Sequence, residues 1–390
     1  MSQTRSRVMT SRLLLCATLT ALSLTTFADS RNWMSQIPSN RIMNQLIIPG
    51  THDSGTYAIN DASKFSLSSD DPLPLWIEQI SNILPPSLVQ MIVAGWSKTQ
   101  PYAITDQLNN GIRYLDFRVC YFQTHMVLCH ALVSVNLSDA LQQINQFVTN
   151  NPSEIIVLDI NHIYNVNNAA DEAQLLQLLS DQLGTNAIPN TYHATDTIGT
   201  LRQSKHNVII LMDTNQPITD PALQQFAAHY LWHQSTINSP WPNKTNVADL
   251  KNTLDVEMAM WHKIHASAQN FFVLQAIQTP GTNQIINGII NPFWYPSSIQ
   301  NYEIPVNQAL NGWLTGYISA YGPRSINIVI QDWFDNTSTL VPLAIQYDTQ
   351  ASSPLDNITR PETQRKLDAL RAWYKGRVSV QWQHLSAGSF

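Results

Sequence analysis

Short runs of apolar, β-branched residues recur along the chain, and each run ends in polar residues. Near-continuous apolar runs of this length are typical of strands that are buried on both faces of a sheet. Helical patterns lie between several of them: residues 138–150 carry an apolar stripe behind Ser138, a candidate N-cap, and residues 169–183 begin with acidic residues. The predicted strands fall at residues 46–53, 112–120, 126–131, 154–162, 207–213, 229–235, 271–279 and 327–333.

The order of these elements predicts the fold class. Strands that alternate with helices indicate an α/β protein with a parallel sheet. About eight strands over this length favour a distorted (β/α)8, TIM-type barrel in a single domain. An open doubly wound sheet is the alternative, but no glycine-rich phosphate loop follows the first strand.

Polar side chains gather where the predicted strands end. In a parallel barrel the residues that carry the chemistry lie at the carboxyl ends of the strands. The ends here hold histidines, carboxylates and one arginine, which we expect to converge. The residues at these ends are His52, Asp53, Asp116, Arg118, His130, Asn161, His162, Asp213, Gln275 and Asp332.

Two histidines with nearby aspartates suit phosphodiester cleavage by general acid–base catalysis. One histidine can take a proton from an attacking hydroxyl, and the other can give one to the leaving oxygen. A carboxylate beside each would fix its tautomer and stabilise its imidazolium form. Taken alone, the residues indicate a hydrolase or lyase that acts on an anion.

Two apolar stretches stand outside the strand and helix rhythm, at residues 66–96 and 281–302. The first follows the first strand, so it is expected over the catalytic end of the barrel. Either stretch would serve as a lid or as a rim that touches a membrane, and the alternative is that both simply pack on the barrel.

Charge and composition limit the classes of partner that the protein is expected to bind. Charged residues make up 12% of the 390 residues, and the formal net charge is −6. A nucleic-acid binder would normally show a basic face, so we expect no nucleic acid as a partner. We expect a monomer.

The first residues resemble an export signal. Basic residues precede an apolar stretch at residues 13–24 that is short for a membrane span, and small residues then precede Asp29. We predict a signal peptide over residues 1–28, a catalytic barrel over residues 29–390, and export of the protein to the periplasm or the medium. A membrane anchor is the alternative.

Two cysteines would remain after removal of this segment, Cys120 and Cys129. An exported protein could join them. If Arg118 and His130 both point inward, strand alternation makes the two cysteine sulfurs point away from each other. We therefore predict free thiols.

Specific motifs resemble the X domain of phosphatidylinositol-specific phospholipase C. They are NQLIIPGTHDSGTYAI at 44–59, DQLNNGIRYLDFRV at 106–119 and the segment 129–162. NWMSQIP, WSKTQPYAITDQL and NIVIQDWF, at 32–38, 96–108 and 327–334, are similar to the small X-domain-containing phospholipases in particular. The resemblance covers most of the chain and implies a distorted (β/α) barrel that works at a phospholipid membrane surface on a phosphatidylinositol-type headgroup.

The resemblance also implies roles for individual residues. His52 would be the general base for the inositol 2-hydroxyl, and His130 the general acid for the diacylglycerol oxygen. Asp332 would pair with His52, while Asp53 would support His130. Arg118 would bind the phosphate oxygens.

The remaining candidates are substrate-binding residues. Asp116 would help to hold this array, and Asn161, His162 and Asp213 would read sugar hydroxyls. The compact bacterial enzymes of the family carry basic residues near the last three positions, so this departure puts the headgroup in question rather than the reaction.

Arg118 bears on the metal question. The large eukaryotic enzymes have a calcium ligand at the corresponding position, whereas the compact bacterial enzymes have an arginine. We therefore expect no metal and no other cofactor. Two alternatives stay open: a glycerophosphodiester phosphodiesterase, whose usual His-Arg-Gly motif is missing here, and a non-catalytic binder of lipid headgroups on the same barrel.

Overall fold

The structure is a computed structural model that describes residues 29–66, 75–335 and 337–350. The predicted signal peptide at residues 1–28 lies outside the described residues, as does the C-terminal part of the predicted domain from residue 351 onward. None of the described helices combines the length and the apolar character needed to cross a bilayer.

The strands form one curled sheet. Eight of them run parallel in the order β7-β6-β5-β2-β1-β10-β9-β8, and in the described part of the chain the end strands β7 and β8 are not paired with each other. The predicted distorted (β/α)8 barrel is thus confirmed, with an opening between its end strands. The strands are β1 Ile48–Thr51, β2 Tyr114–Phe122, β3 His125–His130, β4 Leu132–Asn136, β5 Ile156–Tyr164, β6 Val208–Leu211, β7 Leu231–Trp232, β8 Ile237–Asn238, β9 Phe271–Gln275 and β10 Ile328–Gln331.

One of the eight predicted strands has a different role. The run at 126–131 forms β3, which pairs antiparallel with β2 as a hairpin outside the parallel order. The eighth parallel strand is β8, which is only two residues long and pairs with the start of β9. A strand this short carries no hydrophobic pattern that sequence reasoning could have recognised.

Helices cover the outside of the sheet. The predicted helix at 169–183 has the observed bounds, and that at 138–150 begins one residue earlier, with Asn136 rather than Ser138 at the N-cap. The helices are α1 Leu75–Ser81, α2 Pro86–Ser97, α3 Ile104–Asn109, α4 Leu137–Asn150, α5 Ala169–Leu183, α6 Ile198–Gln203, α7 Pro221–Tyr230, α8 Val247–Ile264, α9 Thr282–Ile290, α10 Ile299–Tyr321 and α11 Leu340–Asp348.

The strands bury both of their faces, as the continuous apolar runs predict. Leu158 of β5 belongs to the apolar cluster that packs on α4 and α5, whereas its neighbour Val157 belongs to the cluster that includes Tyr114 and Ile209. Burial on both sides fixes the register of these strands, because a slip by one residue would exchange the two faces. The carboxyl ends of the strands are thereby held in fixed positions.

Cys120 and Cys129 form a disulfide, so the prediction of free thiols was wrong. Cys120 lies opposite Val127 in the β2–β3 hairpin, and Cys129, two residues further on, faces the same side, with 6.1 Å between the two cysteine Cα atoms. The prediction assumed strict alternation, but the register shifts at Phe117/Arg118 and again between Val127 and Cys129. Such irregularities change which face a side chain occupies.

Candidate active site

The first pair of the site joins two neighbouring strands. His52 follows β1 and Asp332 follows β10, and the parallel register sets Thr51 beside Gln331, so the next residues are adjacent. The His52 Nδ1 donates a hydrogen bond of 2.8 Å to Asp332 Oδ1. This bond orients the imidazole and leaves Nε2 as the nitrogen that faces away from Asp332.

Asp53 turns its side chain to a different set of partners. Its φ of 43° lies in the left-handed region, which is rare for a residue other than glycine and bends the chain sharply after β1. The Asp53 Oδ1 is 2.6 Å from Arg118 Nε, and its Oδ2 is 3.4 Å from His52 Nε2 and 3.6 Å from His130 Nδ1. The carboxylate thus lies between one arginine and two histidines.

His130, the last residue of β3, faces His52 across this carboxylate with 6.5 Å between the ring centroids. Its Nδ1 donates a hydrogen bond of 2.9 Å to the main-chain carbonyl oxygen of Ser97, at the end of α2. This carbonyl is nearer to the ring than Asp53, the partner implied by the family resemblance. Because a carbonyl only accepts, the bond requires a proton on Nδ1 and leaves Nε2 directed elsewhere.

Buried charges shift the ionisation of this group. Burial opposes a charge on His52, but the nearby Asp53 and Asp332 outweigh it and raise the pKa of His52 to about 9. Burial also opposes a charge on Asp53, and there the Arg118 guanidinium prevails and lowers the pKa of Asp53 to about 2. Burial raises the pKa of Asp332, with His52 opposing the change. At neutral pH an ionised Asp53 therefore faces a protonated His52.

A second group of carboxylates lies beside the first. Asp116 Oδ1 accepts a hydrogen bond of 2.8 Å from Asn161 Nδ2, and its Oδ2 accepts one of 3.1 Å from the main-chain N–H of Asp53. Asp116 thereby links the turn after β1 to β5.

Asp159 is a residue of the site that the sequence reasoning missed. Its Oδ2 accepts from the Tyr114 hydroxyl at 2.6 Å and its Oδ1 from Gln234 Nε2 at 2.7 Å. Burial and the charge of Asp116 raise the pKa of Asp159 to about 7. The run Ile-Val-Leu-Asp-Ile gave a signal, since an aspartate inside a buried strand needs a partner.

The structure brings most, but not all, of the predicted binding residues together. His162 lies at the mouth of the cavity, stacked on Tyr164 with 5.8 Å between centroids, and desolvation and the Arg118 charge lower its pKa. Asp213 is not in this cavity: it lines a separate one, where it accepts a 3.0 Å hydrogen bond from the main-chain N–H of Gln234. The structure thus gives Asp213 no direct access to a ligand beside His52.

A cavity of about 790 Å³ encloses the two histidines. Its polar side chains come from β2 and β5 and from the ends of β1, β3, β9 and β10, together with Gln234. Its apolar side chains come mainly from α1, α2, α9 and the start of α10. The lining includes the polar residues His52, Asp116, Arg118, His130, Asp159, Asn161, Gln234, Gln275 and Asp332, and the apolar residues Trp76, Ile77, Trp96, Ile285 and Ile299.

Three side chains of the site form a group that offers atoms of the kind that bind metal ions. His52, Asp53 and Asp116 each offer one ligand atom within 4.8 Å of the others. Calcium takes about six to eight oxygen ligands, whereas this group has one nitrogen among three donors. The Asp53 carboxylate is also paired with Arg118 at 2.6 Å, and that cation would repel a metal ion. The group therefore fits a calcium ion poorly.

The fold and the site define an α/β-barrel protein with two histidines facing each other at the carboxyl edge of its sheet. The family model described as phosphatidylinositol-specific phospholipase C, X domain, matches residues 87–213. The chain is 27% identical to the PI-PLC X domain-containing protein 2 of Mus musculus over 311 residues, which are 78% of this chain and 84% of that protein. It is also 27% identical over 297 residues to the Variant-surface-glycoprotein phospholipase C of Trypanosoma cruzi, with 73% and 76% covered. The resemblance to this family that the motifs indicate is thus confirmed over residues 87–213 of the chain.

A solved structure shares the fold. The phosphatidylinositol-specific phospholipase C from Listeria monocytogenes superposes with a TM-score of 0.54, at 17% identity, over 82% of this chain and 98% of that one. The likeness confirms the distorted barrel as the architecture of this chain.

Proposed function

We propose that this protein cleaves the phosphodiester of a phosphatidylinositol-type lipid, giving diacylglycerol and a cyclic inositol phosphate. The observation that carries the proposal is the arrangement of His52 and His130, which face each other at 6.5 Å between ring centroids inside one cavity beside Arg118. Acid–base cleavage requires two such groups on opposite sides of a phosphate. The match of residues 87–213 to the phosphatidylinositol-specific phospholipase C X-domain model supports the same reaction class.

The first proton transfer uses His52. Its Nε2, held by the Nδ1 hydrogen bond to Asp332, takes the proton of the inositol 2-hydroxyl. The oxygen then attacks phosphorus and forms a new P–O bond, which closes the cyclic phosphate. Asp332 stabilises the imidazolium that results.

The second proton transfer uses His130. The P–O bond to the glycerol breaks, and the glycerol oxygen takes a proton from His130 Nε2. The Ser97 carbonyl holds the opposite nitrogen at 2.9 Å and so keeps the ring oriented for this transfer. The reaction is balanced in protons, because His52 takes one proton from the substrate and His130 gives one to the product.

Arg118 supplies the positive charge for the phosphate oxygens. It lies next to Asp53 and lines the cavity together with the two histidines. A guanidinium fixed in this position stabilises the charge that develops on the phosphoryl oxygens. We therefore expect full turnover in the presence of a chelator. Turnover lost with the chelator and restored by calcium would contradict this assignment.

A membrane surface is the proposed partner. Residues 67–74 of the first apolar stretch lie outside the described residues. The described parts of both stretches border the cavity, and each also exposes apolar side chains to solvent, as an interfacial rim requires. Phe293 is 94% and Trp294 82% exposed in the turn between α9 and α10. Aromatic side chains are well suited to the membrane–water interface. The exposed rim residues are Ile83, Leu88, Met91, Ile290, Phe293, Trp294 and Tyr295.

We propose that the protein acts outside the cytoplasm. The sequence of residues 1–28 supports export, and the Cys120–Cys129 disulfide is of the kind that persists in oxidising compartments. Comparing the mass of the protein in the cell and in the medium tests this, since an exported form should lack the first 28 residues or so.

The decisive variants are His52→Ala and His130→Ala, assayed on phosphatidylinositol vesicles. Each should lower kcat by roughly a hundredfold to ten-thousandfold, because each removes one proton transfer. His125→Ala, at the exposed opposite end of β3, is the matched control and should leave kcat unchanged. Saturable vesicle binding without product would favour a headgroup binder, and turnover of glycerophosphodiesters alone would favour the glycerophosphodiesterase alternative.

A further inference from the structure

The cavity has two walls of opposite character. The polar wall surrounds Arg118 and Asp159. The other wall, called here the apolar wall, is formed by five side chains that line the cavity and belong to one hydrophobic cluster. They are Trp76, Ile77, Trp96, Ile285 and Ile299.

His130 lies at the boundary between the two walls. Its ring is held by Ser97, the residue after Trp96, and its next neighbour in the chain, Ala131, packs against the cluster of the apolar wall. His52 belongs to the polar wall, because a nitrogen of its ring lies within 4.8 Å of carboxylate oxygens of Asp53 and Asp116. A substrate that spans the two histidines would therefore have a polar part on the His52 side and an apolar part on the His130 side.

Trp96 carries a donor without an acceptor. Its side chain is buried, with 4% of its surface exposed, and Nε1 has no hydrogen-bond partner among the described residues. The ring is fixed by an edge contact with Tyr302 at 5.9 Å between centroids. A buried N–H without an acceptor is costly, so native structures rarely leave one unless a ligand or a water supplies the oxygen.

We propose that the apolar wall binds the acyl-glycerol part of the substrate inside the protein, with Trp96 Nε1 donating a hydrogen bond to an ester carbonyl oxygen. This inference rests on the proposed function, because it takes His130 as the acid for the glycerol oxygen. In a diacylglycerol, the ester groups are the polar groups nearest to that oxygen. The first methylene groups of the acyl chains would then contact Ile285 and Ile299.

The size of the cavity agrees with this occupant. Pockets that enclose drug-sized ligands measure roughly 300 to 1,000 Å³, and this cavity, at about 790 Å³, is in the upper part of that range. A sugar phosphate on the polar wall would leave the apolar wall uncovered. Burying apolar surface from both partners there would favour the lipid over its deacylated headgroup.

The first test uses the wild-type protein and soluble substrates. Dibutanoyl phosphatidylinositol below its critical micelle concentration and glycerophosphoinositol share the same headgroup, and neither forms a membrane. We expect kcat/KM for the dibutanoyl compound to be at least about tenfold higher, since burying two methylene groups already favours binding by that factor. Equal values would overturn the inference and leave the proposed function standing, whereas no turnover of any inositol lipid would overturn both.

The second test isolates the Trp96 donor. Trp96→Phe keeps an aromatic ring but removes the N–H. Wild type should prefer the dibutanoyl ester over its dibutyl ether analogue by roughly three- to tenfold, and the variant should lose this preference. Trp313→Phe, a partly buried tryptophan of α10 outside the cavity, should keep it. A Trp96→Phe protein that retains the full ester preference would overturn the inference. If that variant fails to fold, the comparison of the two soluble substrates with the wild-type protein still tests the inference independently.

Discussion

His52 and Asp53 are consecutive residues that serve different partners, and the backbone explains why. The chain leaves β1 in extended conformation and turns at Asp53, where φ is 43°. The turn directs His52 to Asp332 at 2.8 Å and Asp53 to Arg118 at 2.6 Å. The family resemblance implied the His52–Asp332 pair but assigned Asp53 to His130, whereas the nearest partner of Asp53 is Arg118. The Ser97 carbonyl at His130 was not predictable, because a main-chain acceptor leaves no mark on residue identity.

The pKa of His52 predicts a pH dependence. A general base must be neutral to take a proton, and the pKa of His52 is raised to about 9. We expect kcat/KM to rise with pH up to about 9, because the neutral form of His52 accumulates only as pH passes its pKa. A profile that is already flat from pH 6 would contradict this ionisation.

Asp332→Asn tests the cause of that raised pKa. The substitution removes a negative charge 2.8 Å from His52 Nδ1, so the pKa of His52 should fall and the acidic limb should move to lower pH. The maximal value of kcat/KM should also fall, because the imidazolium loses its stabilising carboxylate. An unchanged acidic limb with a reduced maximum would mean that Asp332 acts only through packing.

Arg118→Lys tests the need for a planar guanidinium. Lysine keeps the charge beside Asp53 but cannot present a rigid fork of N–H donors to a phosphate. We expect kcat to fall by roughly tenfold to a hundredfold, with the thermal midpoint nearly unchanged. Arg31→Lys, at an exposed ion pair with Asp29, is the control and should leave turnover unaffected.

At the scale of elements, long apolar runs were predictable and two-residue strands were not. The strands at residues 154–162 and 327–333 appear as β5 and β10, because continuous burial requires continuous apolar residues. The run at residues 229–235 forms only the short β7. The sequence prediction treated β2 and β3 as two strands of the barrel, although they form a hairpin. An apolar run does not reveal whether its strand will pair parallel or antiparallel with the next one.

The hairpin disulfide gives a prediction about stability. Cys120 and Cys129 are nine residues apart, and a closed loop of this size stabilises the native state by roughly 2 to 3 kcal/mol. The double variant Cys120→Ser/Cys129→Ser should lose about that free energy of unfolding, measured by denaturant titration. Alkylation of the denatured, unreduced wild-type protein should modify neither cysteine, and modification of both would contradict the bond.

At the scale of the whole molecule, the barrel explains why residues so distant in sequence meet. His52, Arg118, His130 and Asp332 were predicted to converge from strand ends alone, and they line one cavity. Asp213 was predicted on the same rule and lies in another cavity. The rule predicts at which edge of the sheet these residues lie, but not the direction in which each side chain points. That direction depends on strand register and on local turns.

The exposed rim predicts how the molecule meets a membrane. Replacing both Phe293 and Trp294 by Asp should weaken partitioning onto phosphatidylinositol vesicles by at least about tenfold, since two large apolar side chains are lost. Met260→Asp is the control, because Met260 is 54% exposed on α8, among residues that border no part of the cavity described here. Equal loss of binding in both proteins would mean that the rim has no special part in the interaction.

Phosphorus NMR of phosphatidylinositol vesicles during turnover tests the proposed reaction directly. The first product should be the cyclic inositol phosphate, because His52 activates a hydroxyl of the inositol itself. This signal should be absent with His52→Ala and with His130→Ala. An open-chain inositol phosphate as the first product, or a cyclic product formed by either variant at the wild-type rate, would contradict this mechanism.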